Sequence, residues 1–390
     1  MRISAVVRMA FGGVLLSAAL LCVWPAPTNL LWKVAIGATE YGHLLAGLSF
    51  GTALLFGFRA RGRDLGFGLC LTAGVLAATP VLRAVPVARR LPNAVATAFP
   101  EGVAQGDASG RVAASPLSLR AMLGGREVEK IDSTELCYRE IAGERLCLDY
   151  YPAQGEHPAP LVVVVHGGSW SGGSNRDFVP FDRALAAEGY AVADLIYRLA
   201  PRWRYPAASD DLRAALDYLS AHADSLGIDA TRIALLGRSA GAQIAMDVAY
   251  RRPDPRVRGV ISFYGPTDLH WSWTHPKNPR VIDIHAVLTR FLGGAPEAFG
   301  PQFDAASPIR FVSPESPPTL IFHGSRDELV DAYHSEQLAA RLGAVGAAHL
   351  FVELPWATHG FDYVPHGPGG QISRYAIDRF LAAVLAEPGR

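Results

Sequence analysis

The stretch Arg232-Ile233-Ala234-Leu235-Leu236-Gly237-Arg238-Ser239-Ala240-Gly241-Ala242-Gln243 constrains the fold more than any other part of the chain. A short apolar run enters Gly-x-Ser-x-Gly, and an alanine-rich helical pattern follows at once, from Ala242 to Tyr250. Strand, tight turn and helix in that order place a serine at the tip of a sharp bend. Gly237 and Gly241 leave the bend unobstructed. Ser239 is therefore the candidate nucleophile.

The flanking sequence supplies a sheet for this turn to sit on. A hairpin is expected from Leu136–Ile141 and Arg145–Tyr150 around Ala142-Gly143-Glu144, and Leu161–Val165 has the composition of a fully buried strand. Beyond it, helical and strand patterns alternate: 178–188, 190–197, 207–222, 232–237, 241–250 and 257–263. After a less regular section come 319–323, 331–342, 348–354 and a closing helix at 371–386. Such alternation predicts an α/β fold, a mostly parallel sheet with helices on both faces, over 131–390. Sites on these sheets lie beyond the carboxyl ends of the strands.

The first 90 residues are of a different kind. Met9–Trp24, Val34–Phe58 and Leu65–Leu82 are apolar and near the length of a hydrocarbon core, so three transmembrane helices are expected over 1–90. A cleaved signal peptide competes for the first run. Glu40 and His43 are expected at a membrane interface. The basic cluster Arg59–Arg63 argues for an inside location, and three crossings would then put the rest of the chain outside, extracytoplasmic. Residues 91–130, rich in Pro, Gly, Ala and Ser, read as a linker with one short helix near Leu117–Leu123. Beyond residue 100 there are 27 basic and 34 acidic residues, a net of about −7, which gives no electrostatic case for nucleic acid.

A serine hydroxyl needs a base, and the base needs an orienting carboxylate. The order Ser…Asp…His suits this strand arrangement. Asp327 lies just past the strand Leu320–Phe322 and is the favoured acid, with Asp268, Asp283 and Asp304 as competitors. His359 follows the last strand and is the favoured base, over His323 and His349. An oxyanion needs backbone donors, expected from Ala240 and from Gly167 and Gly168 in the loop after Leu161–Val165.

With His166-Gly167-Gly168-Ser169-Trp170, Tyr197-Arg198-Leu199-Ala200-Pro201, Gly237–Gly241, Asp327 and His359 in order, the chain from about 135 to 386 resembles an α/β-hydrolase. It is similar to the hormone-sensitive-lipase-like and bacterial feruloyl-esterase-like carboxylesterases. The resemblance implies the α/β-hydrolase fold, acyl-ester hydrolysis through an acyl-enzyme, and no cofactor. It also implies a structural role for Arg198, paired with Asp211. Two departures stand out: Ser169 where many relatives carry a third glycine, and Arg238 where an acid is common. The section 266–317 is where such folds insert pocket residues, which makes Trp271 and Trp273 candidates beside Ser169 and Trp170. The four cysteines lack metal-ligand spacing, so no metal is expected.

The reading is a membrane-anchored serine hydrolase whose partner is a small or medium acyl ester. The alternatives are an amidase of the kynurenine-formamidase kind, sharing the His-Gly-Gly-x-Trp loop, and a non-catalytic membrane-tethered binding domain. Cys137 and Cys147 lie five residues either side of Ala142, so a hairpin folded about that point sets them opposite one another. Cross-strand Cβ atoms come within about 5 Å, near the reach of a disulfide. Protein purified from membranes is expected to carry this bond, with Cys22 and Cys70 as free thiols. Mass spectrometry of a non-reduced digest after alkylation checks it; full alkylation of Cys137 and Cys147 would refute it.

Overall fold

Eight strands form one sheet in the order β1-β2-β4-β3-β5-β6-β7-β8. In the computed structural model, which describes residues 4–59, 64–100, 115–125, 129–155 and 157–387, they are β1 Thr134–Ile141, β2 Glu144–Tyr151, β3 Ala159–Val165, β4 Ala191–Leu195, β5 Ile228–Arg238, β6 Val257–Phe263, β7 Thr319–Gly324 and β8 His349–Leu354. From β4 onward every neighbouring pair is parallel; β1 and β2 join antiparallel at one edge. The run Leu161–Val165 pairs on both sides, so its side chains alternate between two cores. Leu161, Val163 and Val165 enter one, with Leu235 and Ile244; Val162 and Val164 enter the other, with Leu236 and Phe380. A fully buried central strand is what its unbroken apolar composition requires.

The hairpin departs from the expected symmetry. Its turn is the two residues Ala142 and Gly143, both at positive φ (50° and 78°), and Ile141 pairs with Glu144. That register alone would bring Cys147 opposite Tyr138. A bulge between Cys137 and Arg139 restores the pairing of Cys137 with Cys147, which are disulfide-bonded. One inserted residue thus reaches the expected partner by another route. Cys22 and Cys70 are free and buried.

At the N-terminus the expected three helices become four. These are α1 Ala5–Leu20, α2 Asn29–Glu40, α3 Gly42–Arg59 and α4 Leu65–Ala98. The apolar stretch Val34–Phe58 is not one span, because the chain turns at Tyr41–Gly42 and α2 lies on the α/β domain instead. Gly42 is needed there: a Cβ would stand 2.6 Å from the carbonyl oxygen of Ala77 on α4. Among the described residues one helix, α4, is long and apolar enough to cross a hydrocarbon core, while α1 and the Gly42–Gly57 part of α3 are apolar but shorter. α1, α3 and the first half of α4 pack around Leu15, Ala19, Ala46, Ala53, Cys70, Ala73 and Ala77.

α4 also corrects the start of the linker. It runs through Pro80, Pro86 and Pro92 to Ala98 without ending. Proline removes an intrahelical donor. At Pro80 the orphaned carbonyl of Leu76 is met by the Thr79 hydroxyl at 2.6 Å. The second half of α4 buries Ala84, Ala88, Leu91 and Val95 against Ile372 and Phe380 of the C-terminal helix Pro368–Val384. Residues 91–98 are thus part of the domain core. Most of the remaining expected linker lies outside the described residues, as do Arg61 and Arg63 of the basic cluster; the short helix is found at Leu119–Gly124.

Glu40, expected at a membrane interface, is instead taken up inside the protein, and the half-buried His43 also bonds within the chain. His43 Nε2 lies 3.1 Å from the carbonyl of Met122. Glu40 is fully buried, accepting from the indole N–H of Trp356 (3.1 Å) and the backbone N–H of Gly369 (2.7 Å). Burial pushes its carboxyl from the ordinary 4.5 up to about 8, against the two hydrogen bonds that favour the charged form. Between those two values the unfolded chain loses the proton and the folded chain keeps it. Stability from this group is therefore complete below about pH 4.5 and lost as pH rises through about 8. Thermal melts of Glu40→Gln are expected to fall less steeply than wild type between pH 5 and pH 8, as about that range brackets the shift; parallel slopes would refute this.

Candidate active site

Ser239 stands between the end of β5 and the helix Ala240–Arg251 with φ 54° and ψ −120°, a region L-residues rarely occupy. The two motif glycines are there because nothing larger fits. A Cβ on Gly241 would lie 2.1 Å from the carbonyl oxygen of Val165, and one on Gly237 would lie 2.4 Å from Cα of Ala242. The helix start is thus pressed against the ends of β3 and β5. Ala240 is its first residue, so its N–H has no intrahelical acceptor.

The loop after β3 crosses the same place. A Cβ on Gly167 would stand 3.3 Å from Cβ of Ser239. Gly168, Ser169 and Trp170 follow with φ of 117°, 52° and 57°, three left-handed residues in succession. The neighbouring Gly173 is equally constrained, since a Cβ there would be 2.1 Å from the carbonyl oxygen of Gly167. Tyr197 braces the loop by donating its hydroxyl to the His166 carbonyl at 2.9 Å and stacking on the His166 ring. Arg198 pairs with Asp211 at 2.8 Å, as the resemblance implied.

Asp327 and His359 meet. His359 Nδ1 lies 2.6 Å from Asp327 Oδ2, with both residues buried. The other Asp327 oxygen accepts from the N–H groups of Leu329 and Val330, each at 2.8 Å. Burial works against the charged carboxylate, but His359, His323 and these contacts outweigh it and hold Asp327 well below the usual carboxylate range. The competing acids are placed elsewhere. Asp268 and Asp283 cap helix N-termini, accepting from Trp271 N–H and Ala286 N–H, and Asp304 pairs with Arg310. His323 also reaches the acid, with Nε2 3.3 Å from Asp327 Oδ2, but its ring is fully buried and bonded to Ser335 and Val330. His349 bonds the Ala347 carbonyl at the start of β8.

A narrow cavity of about 30 Å³ opens beside Ser239 and Ala240. Ser169, Trp170 and Trp271 line it, together with the ion pair Lys277–Asp331 (2.7 Å) and His334. Burial pushes His334 down to about 3, so it is neutral, and Ser272 Oγ lies 3.0 Å from its Nε2. Trp170 is fixed by stacking on Phe291 and donating to Gln243. Trp271 is clamped between His275 and Tyr333, and among the described residues its buried Nε1 has no hydrogen-bond partner. Trp273 does not line the cavity. Its ring packs edge-on against Phe303 and beside His285, completing a core.

Three residues around His359 were not singled out from the sequence. Tyr264, directly after β6, faces the His359 ring at 4.2 Å and donates to Asp362, which pairs with Arg238 at 2.5 Å. Arg238 accordingly leaves the pocket alone: it is buried beneath the elbow and stacks on Phe178 at 3.6 Å. Trp32 of α2 donates its indole N–H to the His359 carbonyl at 3.1 Å.

The fold agrees with that of the chain's relatives. The BD-FAE family matches residues 148–342, half of the chain. The chain belongs to the BD-FAE family. It has an α/β-hydrolase fold, and the curated relatives it matches are carboxylic ester hydrolases. Esterase LipC of Mycobacterium tuberculosis is 32% identical over 244 residues, covering 58% of this chain and 59% of LipC. Ethyl acetate hydrolase of Pseudomonas putida is 34% identical over 260 residues, covering 62% and 79%. With LipM and LipQ counted, the chain spans somewhat under three fifths of the length of the mycobacterial relatives. Among solved structures, a bacterial heroin esterase superposes with a TM-score of 0.56 at 26% identity, covering 68% of this BD-FAE protein and 88% of the esterase. The thermostable carboxylesterase EstE1, at 22% identity and a TM-score of 0.58, shares the fold.

Proposed function

We propose that the protein is a membrane-anchored serine carboxylesterase acting on small or medium acyl esters, with Ser239 as nucleophile, His359 as base and Asp327 as its orienting acid. The observation that carries this reading is the buried 2.6 Å contact between His359 Nδ1 and Asp327 Oδ2, taken together with a serine held in a strained elbow on a cavity wall. With Nδ1–H donated to Asp327, the other ring nitrogen is left unprotonated and can take the serine proton. The Ser239 oxygen then bonds to the ester carbonyl carbon, and negative charge moves to the carbonyl oxygen. The N–H groups of Ala240, Gly167 and Gly168 are the donors offered to that oxygen. As the tetrahedral intermediate collapses, the C–O bond to the alcohol breaks and imidazolium returns the proton to it. Water, deprotonated by the same ring, releases the acid from the acyl-enzyme. Asp327 keeps its charge throughout, stabilising the imidazolium without accepting a proton.

A cavity of about 30 Å³ favours a short acyl or alcohol group. The 34% identity to ethyl acetate hydrolase agrees with that preference. The unpartnered Trp271 N–H is a donor for a second acceptor oxygen on the substrate. For the anchor, α1, α3 and the first half of α4 form an apolar bundle whose far end holds the Arg8–Asp64 ion pair, and Val14, Leu54 and Leu65 are exposed on its outside. Three crossings by these segments leave α2 and the α/β domain on one side. The Cys137–Cys147 bond fits an extracytoplasmic side.

Ser239→Ala is expected to abolish turnover and fluorophosphonate labelling with an unchanged melting temperature. Asp327→Asn is expected to lower turnover by about 10⁴, the cost of losing the carboxylate in a serine triad. If Asp268→Asn is crippling and Asp327→Asn mild, the acid is misassigned.

In a panel of p-nitrophenyl esters, acetate to butyrate are expected to give the highest kcat/KM, with decanoate and an aryl formamide far behind. A formamide in front would favour the amidase, and an inert, unlabelled protein a binding domain.

A further inference from the structure

The segment Leu21–Trp32, between α1 and the first turn of α2, lies across the loops that carry Asp327 and His359. Each neighbour of the acid is tied to it. Arg326 donates to the carbonyls of Leu21 (3.2 Å), Cys22 (2.5 Å) and Trp24 (2.6 Å) at the carboxyl end of α1, where a cation is favoured by the helix dipole. Glu328 accepts from the N–H of Ala26 at 3.0 Å and, through its other oxygen, from the hydroxyl of Thr358, the residue before His359. Trp32 then reaches His359 itself, donating to its carbonyl, with ring centroids 6.2 Å apart. The segment is in turn moored by Asn29, whose amide and backbone N–H bond the carbonyls of Val281 and Arg280, both at 3.0 Å.

Loops after strands are the least restrained parts of such a sheet. Here the two that must present acid and base at hydrogen-bond distance share one external brace. We propose that Leu21–Trp32 is a built-in strap that holds Asp327 and His359 in register, with Trp32 as a positioning residue for the base. Catalytic competence then depends on the docked N-terminal helices. This rests on the esterase reading above.

The experiment uses the full-length protein in detergent. Trp32→Phe keeps an aromatic ring and removes the donor; Leu30→Ala, at an exposed position on the same helix, is the control. Trp32→Phe is expected to lower kcat on p-nitrophenyl butyrate about tenfold, the usual worth of one hydrogen bond. KM should stay within about twofold, and the rate of fluorophosphonate labelling of Ser239 should fall in parallel. The downfield proton resonance of the His359–Asp327 hydrogen bond should shift in Trp32→Phe and not in Leu30→Ala. Wild-type kcat in Trp32→Phe, a change in KM alone, or an equal loss in Leu30→Ala would overturn the strap. If Trp32→Phe does not accumulate, Asn29→Ala is read by the same measurements and the same criteria. A wild type that fluorophosphonate does not label would overturn the esterase reading as well. Labelled wild type with unimpaired strap variants overturns the strap alone.

Discussion

The structure depends on one close approach: the helix Ala240–Arg251 begins against the carboxyl ends of β3 and β5. With the Val165 carbonyl oxygen 2.1 Å from where a Gly241 Cβ would be, no side chain could be accommodated there. That contact forces Ser239 into a strained conformation and brings the β3 loop within reach of it. The strain is sustained by the surroundings: Ser239 N–H bonds the Phe263 carbonyl at 2.9 Å and Gly167 closes from the other side. The candidate nucleophile, the candidate oxyanion donors and the cavity wall thus follow from the packing of one turn.

The second half of the site is assembled from farther away. Asp327 and His359 follow β7 and β8, and their loops are closed by residues remote in sequence. Glu328 links Thr358 to Ala26, and Trp356 and Gly369 are joined through Glu40. The N-terminal helices are consequently not an appendage on a tether. The second half of α4 supplies part of the core under the C-terminal helix, and α2 bonds the His359 carbonyl through Trp32. Several of the bundle's contacts with the sheet fall on residues adjoining Asp327 and His359.

Arg238 is the residue directly before the serine of Gly-x-Ser-x-Gly. In the fold it is buried on the opposite side of the elbow, neutralised by Asp362 and covered by Phe178. Asp362 in turn accepts from Tyr264, whose ring faces His359.

What the sequence determined by itself was whatever is encoded locally. Alternating apolar runs and helical patterns specify the parallel sheet, because burial on both faces demands unbroken apolar strands. Gly237–Gly241 specifies the elbow, because only glycine tolerates its contacts. Loop positions after strands picked out Asp327 and His359, which the fold brings to 2.6 Å. Tertiary structure decided everything that depends on what an apolar or polar segment is packed against. The stretch Val34–Phe58 is apolar enough to be one span, yet α2 is drawn onto the domain where Trp32 and Glu40 find buried partners. Residues 91–98 have a linker's composition, yet Leu91 and Val95 fill a core that hydropathy cannot locate. Trp271 and Trp273 are two residues apart on one short helix, and only the position of Phe303 turns one into the core while its neighbour meets the cavity. The cysteine pair was legible by spacing, but its register rests on a bulge at Tyr138 that no periodicity announces. In each case the deciding partner lies tens to hundreds of residues away, and only the folded chain brings it near.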